Sequence, residues 1–324
     1  MRRVFAAVAG IAISVVFGWL AVRGLNFHEV RTAIGDASPA WILAAVGVSV
    51  IGVTMRSERW RSLFPRESRP GAVPTFWATQ VGLLANNVLP VRAGELVRVL
   101  ALSREAGLRR TAVLATVGVE RVFDLAVIAA LQLAVASRLP DADVTRRFTL
   151  LAAGILAATA VIVIVLAIAP VRRFGGGLLV RLPMLRARSG VVIESLRTGL
   201  AALRDRQLAA VALLWTLASW LVLAFAGWCV LQAFDLHLPW HAALFLLVAV
   251  TFAQAVPASA GSVGVFELAA RSALVAYGVP PAVALSAGLV LHAVSALPFI
   301  VLGVVGMARL GVSRRDLAHA EAGT

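Results

Sequence analysis

Lysine is absent from the 324-residue sequence, cysteine and tyrosine occur once each, and charged residues make up only 14% of the chain. A soluble domain carries about 25% charged residues. With 60% hydrophobic residues and a mean hydropathy of +0.91, this chain has more apolar surface than one soluble core can hide. The scarcity of charge therefore excludes an ordinary soluble protein, and runs of about 20 apolar residues must face lipid. The lone Cys229 excludes an intramolecular disulfide and a cysteine metal cluster. It stands in an apolar run and reads as a small apolar side chain. With no lysine, the formal net charge of +14 rests on arginine alone. A basic chain can signal a nucleic-acid partner. Here the arginines stand in loops beside apolar runs, which assigns them to membrane orientation and anionic headgroups, with no nucleic acid expected. There is no Walker loop, zinc motif or G-x-S-x-G. No catalytic residue, cofactor or metal is expected, and the chain does not read as an enzyme. His237 and His241 have metal-like spacing, but Pro239 interrupts the helix that would align them.

What is present is a series of apolar segments. The first, residues 4–22, follows Arg2 and Arg3 and lacks a small-x-small cleavage site before Arg23, so it reads as a retained span. A short charge-balanced loop leads to a second span, residues 39–55. Arg56, Arg59, Arg61, Arg66 and Arg69 follow and are assigned to the cytoplasm. Residues 75–102 are interrupted at Pro90, Arg92 and Gly94. The first half is too short to cross a core of roughly 30 Å, and both ends carry arginine, so the segment reads as a re-entrant hairpin. Residues 111–136 and 148–169 read as spans. The arginine-rich segment 171–206 is assigned to the cytoplasm, with either a surface-lying amphipathic helix or a packed hairpin over 191–203. A span follows over residues 208–231. A second interrupted segment, residues 242–277, is broken at Pro257, Gly261 and Gly264, and a final span runs to about residue 307. The fold expected is all-α and polytopic, with about six full transmembrane helices and two oppositely oriented re-entrant hairpins. It divides into a first half (1–170), a basic cytoplasmic loop (171–207), a second half (208–310) and a short tail (311–324). Both termini are expected in the cytoplasm of a bacterial inner-membrane protein.

The two hairpins echo one another. Residues 80–98 read QVGLLANNVLPVRAGELVR and residues 254–271 read QAVPASAGSVGVFELAAR. Each presents an amide, a proline, a glycine, a glutamate and an arginine in that order, at different spacings. Oppositely oriented hairpins are the mark of an inverted repeat whose broken helices meet in a polar site. Pro90 and Pro257 stop helix propagation, and Gly94, Gly261 and Gly264 permit a tight turn or a close approach. The uncapped N–H groups that follow favour an anion. The other reading is that these residues merely kink ordinary spans.

Charge inside a span costs about 2.5–3.5 kcal/mol per residue on insertion scales, so each instance asks for a reason. Glu120 and Asp124, four residues apart, share a helix face with Arg121 beside them. Together with Asn86, Asn87, Pro90, Arg92, Gly94, Glu95, Arg98, Gln254, Pro257, Gly261, Gly264, Glu267 and Arg271 they are the candidate lining of a headgroup cavity. Arginine suits a phosphate because its planar fork binds oxygens in pairs. The competing reading is mutual neutralisation without contact to a ligand. His292, in the last span, is read either as a packing histidine or as a cavity hydrogen-bonder.

The motifs NNVLPVRAGELVR (86–98), ERVFD (120–124) and PASAGSVGVFE (257–267) give the whole chain a resemblance to the lysylphosphatidylglycerol synthase transmembrane-region family, also called flippase-like domain proteins. The resemblance implies carriage of aminoacylated phosphatidylglycerol to the outer leaflet in two-part relatives, whose separate cytoplasmic domain makes that lipid. It also implies links to polyprenyl-phosphate sugars and hopanoids in single-domain members. The sequence ends at Thr324 soon after the last span, so synthase activity is not expected of it. The leading expectation is a lipid translocase or lipid-binding protein handling an anionic or aminoacylated phospholipid or a polyprenyl-phosphate-linked lipid. The alternatives are a non-catalytic partner of a separately encoded lipid-modifying enzyme or glycosyltransferase, a secondary transporter of a small anion, and an integral-membrane transferase using Glu95, Glu120 or Asp124 as base.

Overall fold

A backbone in lipid must satisfy its polar groups within itself, and helices do so residue by residue. The computed structural model describes residues 2–88, 94–138, 149–161, 200–254 and 260–311, and over these it is helical, with no strand. In chain order the helices begin with α1 (Arg2–Val22), α2 (Phe27–Asp36), α3 (Pro39–Ser62), α4 (Ala72–Val88), α5 (Gly94–Glu105) and α6 (Arg110–Ala136). Next come α7 (Thr149–Val161), α8 (Ala201–Arg204), α9 (Arg206–Ala233), α10 (Trp240–Ala253), α11 (Val265–Val275) and α12 (Pro281–Arg309). Their starts are encoded locally. Pro39 and Pro281 occupy first-turn positions where no N–H is needed. Asp205 caps α9 by accepting from the N–H groups of Gln207 (2.8 Å) and Leu208 (3.2 Å).

Among the described residues, three helices, α3, α9 and α12, are long and apolar enough to cross a membrane. Only 28%, 33% and 28% of their apolar windows are buried within the protein, so most of each is left partly or fully uncovered. Leu43, Leu214 and Val304 are among the large side chains left exposed on them. An apolar surface so extensive needs lipid around it. The shorter α7 and α10 are apolar as well.

Helices α3 and α9 run antiparallel along a long interface. The Ser38 N–H donates to the Ala233 carbonyl (2.8 Å), Trp41 meets Trp228 edge-on at 5.5 Å, and Gly52 lies against Leu223. Around this pair the same helix pairs touch, though over contacts of different extent, when α3, α4, α5 and α6 are exchanged for α9, α10, α11 and α12. Thus α4 packs on α12 as α10 packs on α6, and α4–α5 pair as α10–α11 do. Likewise α5 meets α6 as α11 meets α12, and α3 meets α12 as α9 meets α6. One apolar cluster, with Leu231, Leu246 and Leu274, binds α9 through α12. Another, with Trp60, Leu63, Leu102 and Val113, joins the end of α3 to α5 and α6.

Two expectations are corrected. The linker between the first two spans is not a loop but α2, capped by Asn26, whose side chain accepts from the His28 N–H (2.9 Å). The second span does not stop at residue 55 but continues to Ser62, carrying Arg56 and Arg59 inside a helix. No proline or glycine lies between Met55 and Ser62 to end it. The segment 171–199 and the second break at Pro257 lie outside the described residues, as do Pro90 and Arg92.

Candidate functional site

The tips of the two hairpins meet. Gly261, with φ +73, faces the Asn87 side chain and carbonyl, and the turn Ala260–Ser262 packs on α4. Beside this junction is a partly open cavity of about 550 Å³, walled by α3, α4, α5, α6, α9, α10, α11 and α12. Its two ends differ. One is charged, with Arg56, Arg59, Glu95, Arg98, Glu120, Arg121 and Asp124. The other, reached along α9 from Trp220 toward Gly227 and along α6 from Asp124 toward Ile128, is lined by Ala226, Ala243, Leu246 and Val250. From Arg59 back to Ser49 the cavity follows α3 for about 15 Å at 1.5 Å per residue.

Arg59 organises the charged end. Its guanidinium is buried and forms ion pairs with both Glu120 and Asp124 on the facing side of α6. Asp124 also accepts from the Trp220 indole N–H (3.0 Å) and from Arg121 (3.1 Å). Arg98 reaches Glu120 at 2.8 Å and Glu95 at 2.5 Å, and its guanidinium lies 4.6 Å from the centre of the Trp60 ring. Trp60 in turn donates to Thr116 (3.0 Å). Arg121 closes the ring on Glu95 at 3.0 Å. Glu120 and Asp124 are buried and held by arginine, whereas the Arg121 side chain is 50% exposed and that of Glu95 is 30% exposed. The inner carboxylates therefore serve the network, and the outer pair faces the cavity. A carboxylate whose lone pairs already receive guanidinium donors is a poor proton acceptor for a general base.

One donor and one acceptor in this ring are spare. The Nη2 of buried Arg98 is taken by the Glu95 and Glu120 carboxylates, whereas its Nε has no acceptor and Asn86 Oδ1 has no donor. These are unmet hydrogen-bonding positions on the lining of a cavity.

Of the residues expected at the site, Asn86, Asn87, Glu95, Arg98, Glu120, Arg121, Asp124, Gln254 and Gly261 do line the cavity. Four others do not, and their placement is corrected. Arg271 turns its guanidinium to the end of α1 and donates to the carbonyls of Leu20 (3.1 Å) and Ala21 (2.8 Å). There it caps a helix C-terminus, as a cation favours. Glu267 accepts from the Gly264 N–H (2.6 Å) and meets His292 Nδ1 at 2.6 Å, so it stands one residue behind the lining. Gly264 (φ +86) presses on Ser14 and Gly18 of α1, and Gly94 presses on Gly82 and Asn86 across the first hairpin. His292, stacked on Phe266 at 4.4 Å, does line the cavity. His237 pairs loosely with Asp235, and His241 packs near Tyr277.

Sequence reasoning missed Arg56, Arg59 and Trp220. The two arginines belong to an arginine run that mimics a cytoplasmic loop, and one signal separates them. They fall at i and i+3 with Trp60 beside them in an unbroken helical stretch.

Comparison with known proteins identifies relatives of this chain. The chain is 29% identical to the glycosyltransferase AglD of Haloferax volcanii over 94% of its own length, and spans 54%, about half, of that relative. The pattern describing the lysylphosphatidylglycerol synthase TM region matches residues 7–303, which contain all three outward-facing apolar helices in whole or nearly so and both hairpins that meet at the charged cavity. A helical membrane protein of this arrangement, matched over nearly its full length, belongs to the lysylphosphatidylglycerol synthase transmembrane-region family.

Proposed function

We propose that the protein is a lipid translocase or lipid-binding protein of the cytoplasmic membrane. In this reading it takes the headgroup of an anionic or aminoacylated phospholipid, or of a polyprenyl-phosphate-linked lipid, into the cavity. The observation that carries this is the two-ended cavity, in which an arginine–carboxylate ring lies beside an apolar wall between helices that need lipid around them. An amphiphile matches both ends at once, and a small free anion matches only the charged one. The exchange of α3–α6 with α9–α12, together with the antiparallel α3–α9 pair, supports an inverted repeat. On that basis α4–α5 and α10–α11 are re-entrant hairpins entering from opposite faces, with both termini in the cytoplasm.

The test is a leaflet assay on the full chain in proteoliposomes, with fluorescent phosphatidylglycerol and polyprenyl-phosphate probes. Glu95→Gln and Arg121→Gln, at the exposed side of the ring, are expected to slow protein-dependent movement about tenfold, a change of about 1.4 kcal/mol. Unchanged movement in properly inserted variants would remove the cavity from the pathway. A second reading is favoured by the glycosyltransferase name of the relative, in which the chain is a membrane partner of a sugar-transferring enzyme. It predicts co-purification with such an enzyme and no leaflet movement by the protein alone.

A further inference from the structure

The charges lining the cavity do not balance. Arg56, Arg59, Arg98 and Arg121 stand against Glu95, Glu120 and Asp124 among the described residues. Arg59, Arg98 and Arg121 each lie within ion-pair distance of at least two of those carboxylates. Arg56 has no such partner. Its guanidinium stands 5.5 Å from the centre of the Trp220 ring, and the Trp220 indole is itself fixed by its hydrogen bond to Asp124. His292 also lines the cavity, and its partner Glu267 stands one residue behind the lining. Among the described residues, the lining of the charged end thus carries one more arginine than carboxylates. That cation is set on an aromatic face at the border between the charged ring and the apolar wall.

Building on the lipid reading above, we propose that Arg56 takes the phosphodiester of a lipid headgroup and that the cavity is matched to a single negative charge. A monoanionic phosphodiester brings the described arginines and carboxylates of the lining to neutrality. A phosphomonoester, which carries close to two charges above its second ionisation, would leave one uncompensated charge in a poorly solvated space, where it is costly. Arginine supplies paired donors to the two free phosphodiester oxygens. The spare Nε donor of Arg98 and the position of Arg56 over Trp220 keep the headgroup at the charged end, with the chains along the apolar wall.

The experiment measures binding to the purified full chain in nonionic detergent at mildly alkaline pH. The probes are short-chain phosphatidylglycerol, short-chain phosphatidic acid, glycerophosphoglycerol and inorganic phosphate. The wild type is expected to bind phosphatidylglycerol at least about tenfold more tightly than phosphatidic acid. Arg56→Gln should lose about tenfold for phosphatidylglycerol and most of the discrimination, while Arg56→Lys keeps part of both. Arg110→Gln, on an arginine outside the lining, should change neither. Elution at the wild-type volume in size exclusion shows that each variant is folded. Equal phosphatidylglycerol affinity in Arg56→Gln, or phosphatidic acid binding as tightly as phosphatidylglycerol, would overturn the assignment while leaving the lipid reading intact. Binding of glycerophosphoglycerol or inorganic phosphate as tight as the lipid would overturn the lipid source in favour of a small anion. Absence of binding by the wild type to every probe would overturn both.

Discussion

Arg59 shows what a buried charge does in a chain that has so few. With 1% of its side chain exposed, it is the shared partner of Glu120 and Asp124. Removing one member of such a group leaves uncompensated charge and costs about 3–5 kcal/mol. Arg59→Leu is therefore expected to lower the unfolding temperature in detergent steeply. The triple change Arg59→Leu, Glu120→Leu, Asp124→Leu should recover part of the loss, because an apolar replacement for the whole group avoids desolvation. If the single substitution left the unfolding transition unmoved, Arg59 would not be holding α3 to α6. Glu95, Arg98 and Glu120 were legible because charge inside an apolar run is conspicuous. Arg56 and Arg59 were not, because a neighbouring run of exposed arginines makes the end of a helix look like a loop. Arg271 was misread for the opposite reason. Its position matches the repeat pattern, but its partner carbonyls, Leu20 and Ala21, lie about 250 residues away in sequence and leave no local trace.

At the scale of elements, the interruptions at Gly94, Gly261 and Gly264 were legible from glycine, since this residue acts on its own backbone. Which face each broken half presents depends on contacts made across the fold. Gly94 illustrates this. A Cβ there would run into the Gly82 carbonyl and the Asn86 side chain, so the glycine serves the closeness of α4 and α5 and not the cavity lining. Gly94→Leu is expected to prevent the hairpin from closing, giving aggregated or poorly folded protein on size exclusion. Gly35→Ala, in α2 with nothing within 4 Å, should behave like wild type. Equal behaviour of the two variants would contradict the close packing of the first hairpin. The mistaken loop between the first two spans had a readable cap at Asn26, and Phe27, Val30 and Ile34 recur at helical spacing, but α2 is only ten residues long and contributes only Val30 to the core, so it leaves no apolar run.

For the whole molecule, the membrane character and helical class followed from composition, whereas the pairing of halves required contacts between distant residues. The antiparallel α3–α9 pair is the axis of that arrangement. Ser38→Cys with Ala233→Cys, in a Cys229→Ala background, is expected to form a disulfide on mild oxidation, because the two backbones are hydrogen-bonded at 2.8 Å. No cross-link in folded protein would contradict the antiparallel register. The lipid reading itself is most directly tested by asking where a lipid sits. A bifunctional phosphatidylglycerol, photoactivatable and clickable, would be incorporated in vesicles with the full chain, and the labelled peptides identified by mass spectrometry. The account predicts labelling of the cavity wall, in particular Leu246, Leu247 and Val250 of α10, with labelling there reduced in Arg121→Gln. Labelling confined to outward residues such as Leu43, Leu214 and Val304, with none in α10 and no change in the variant, would contradict it.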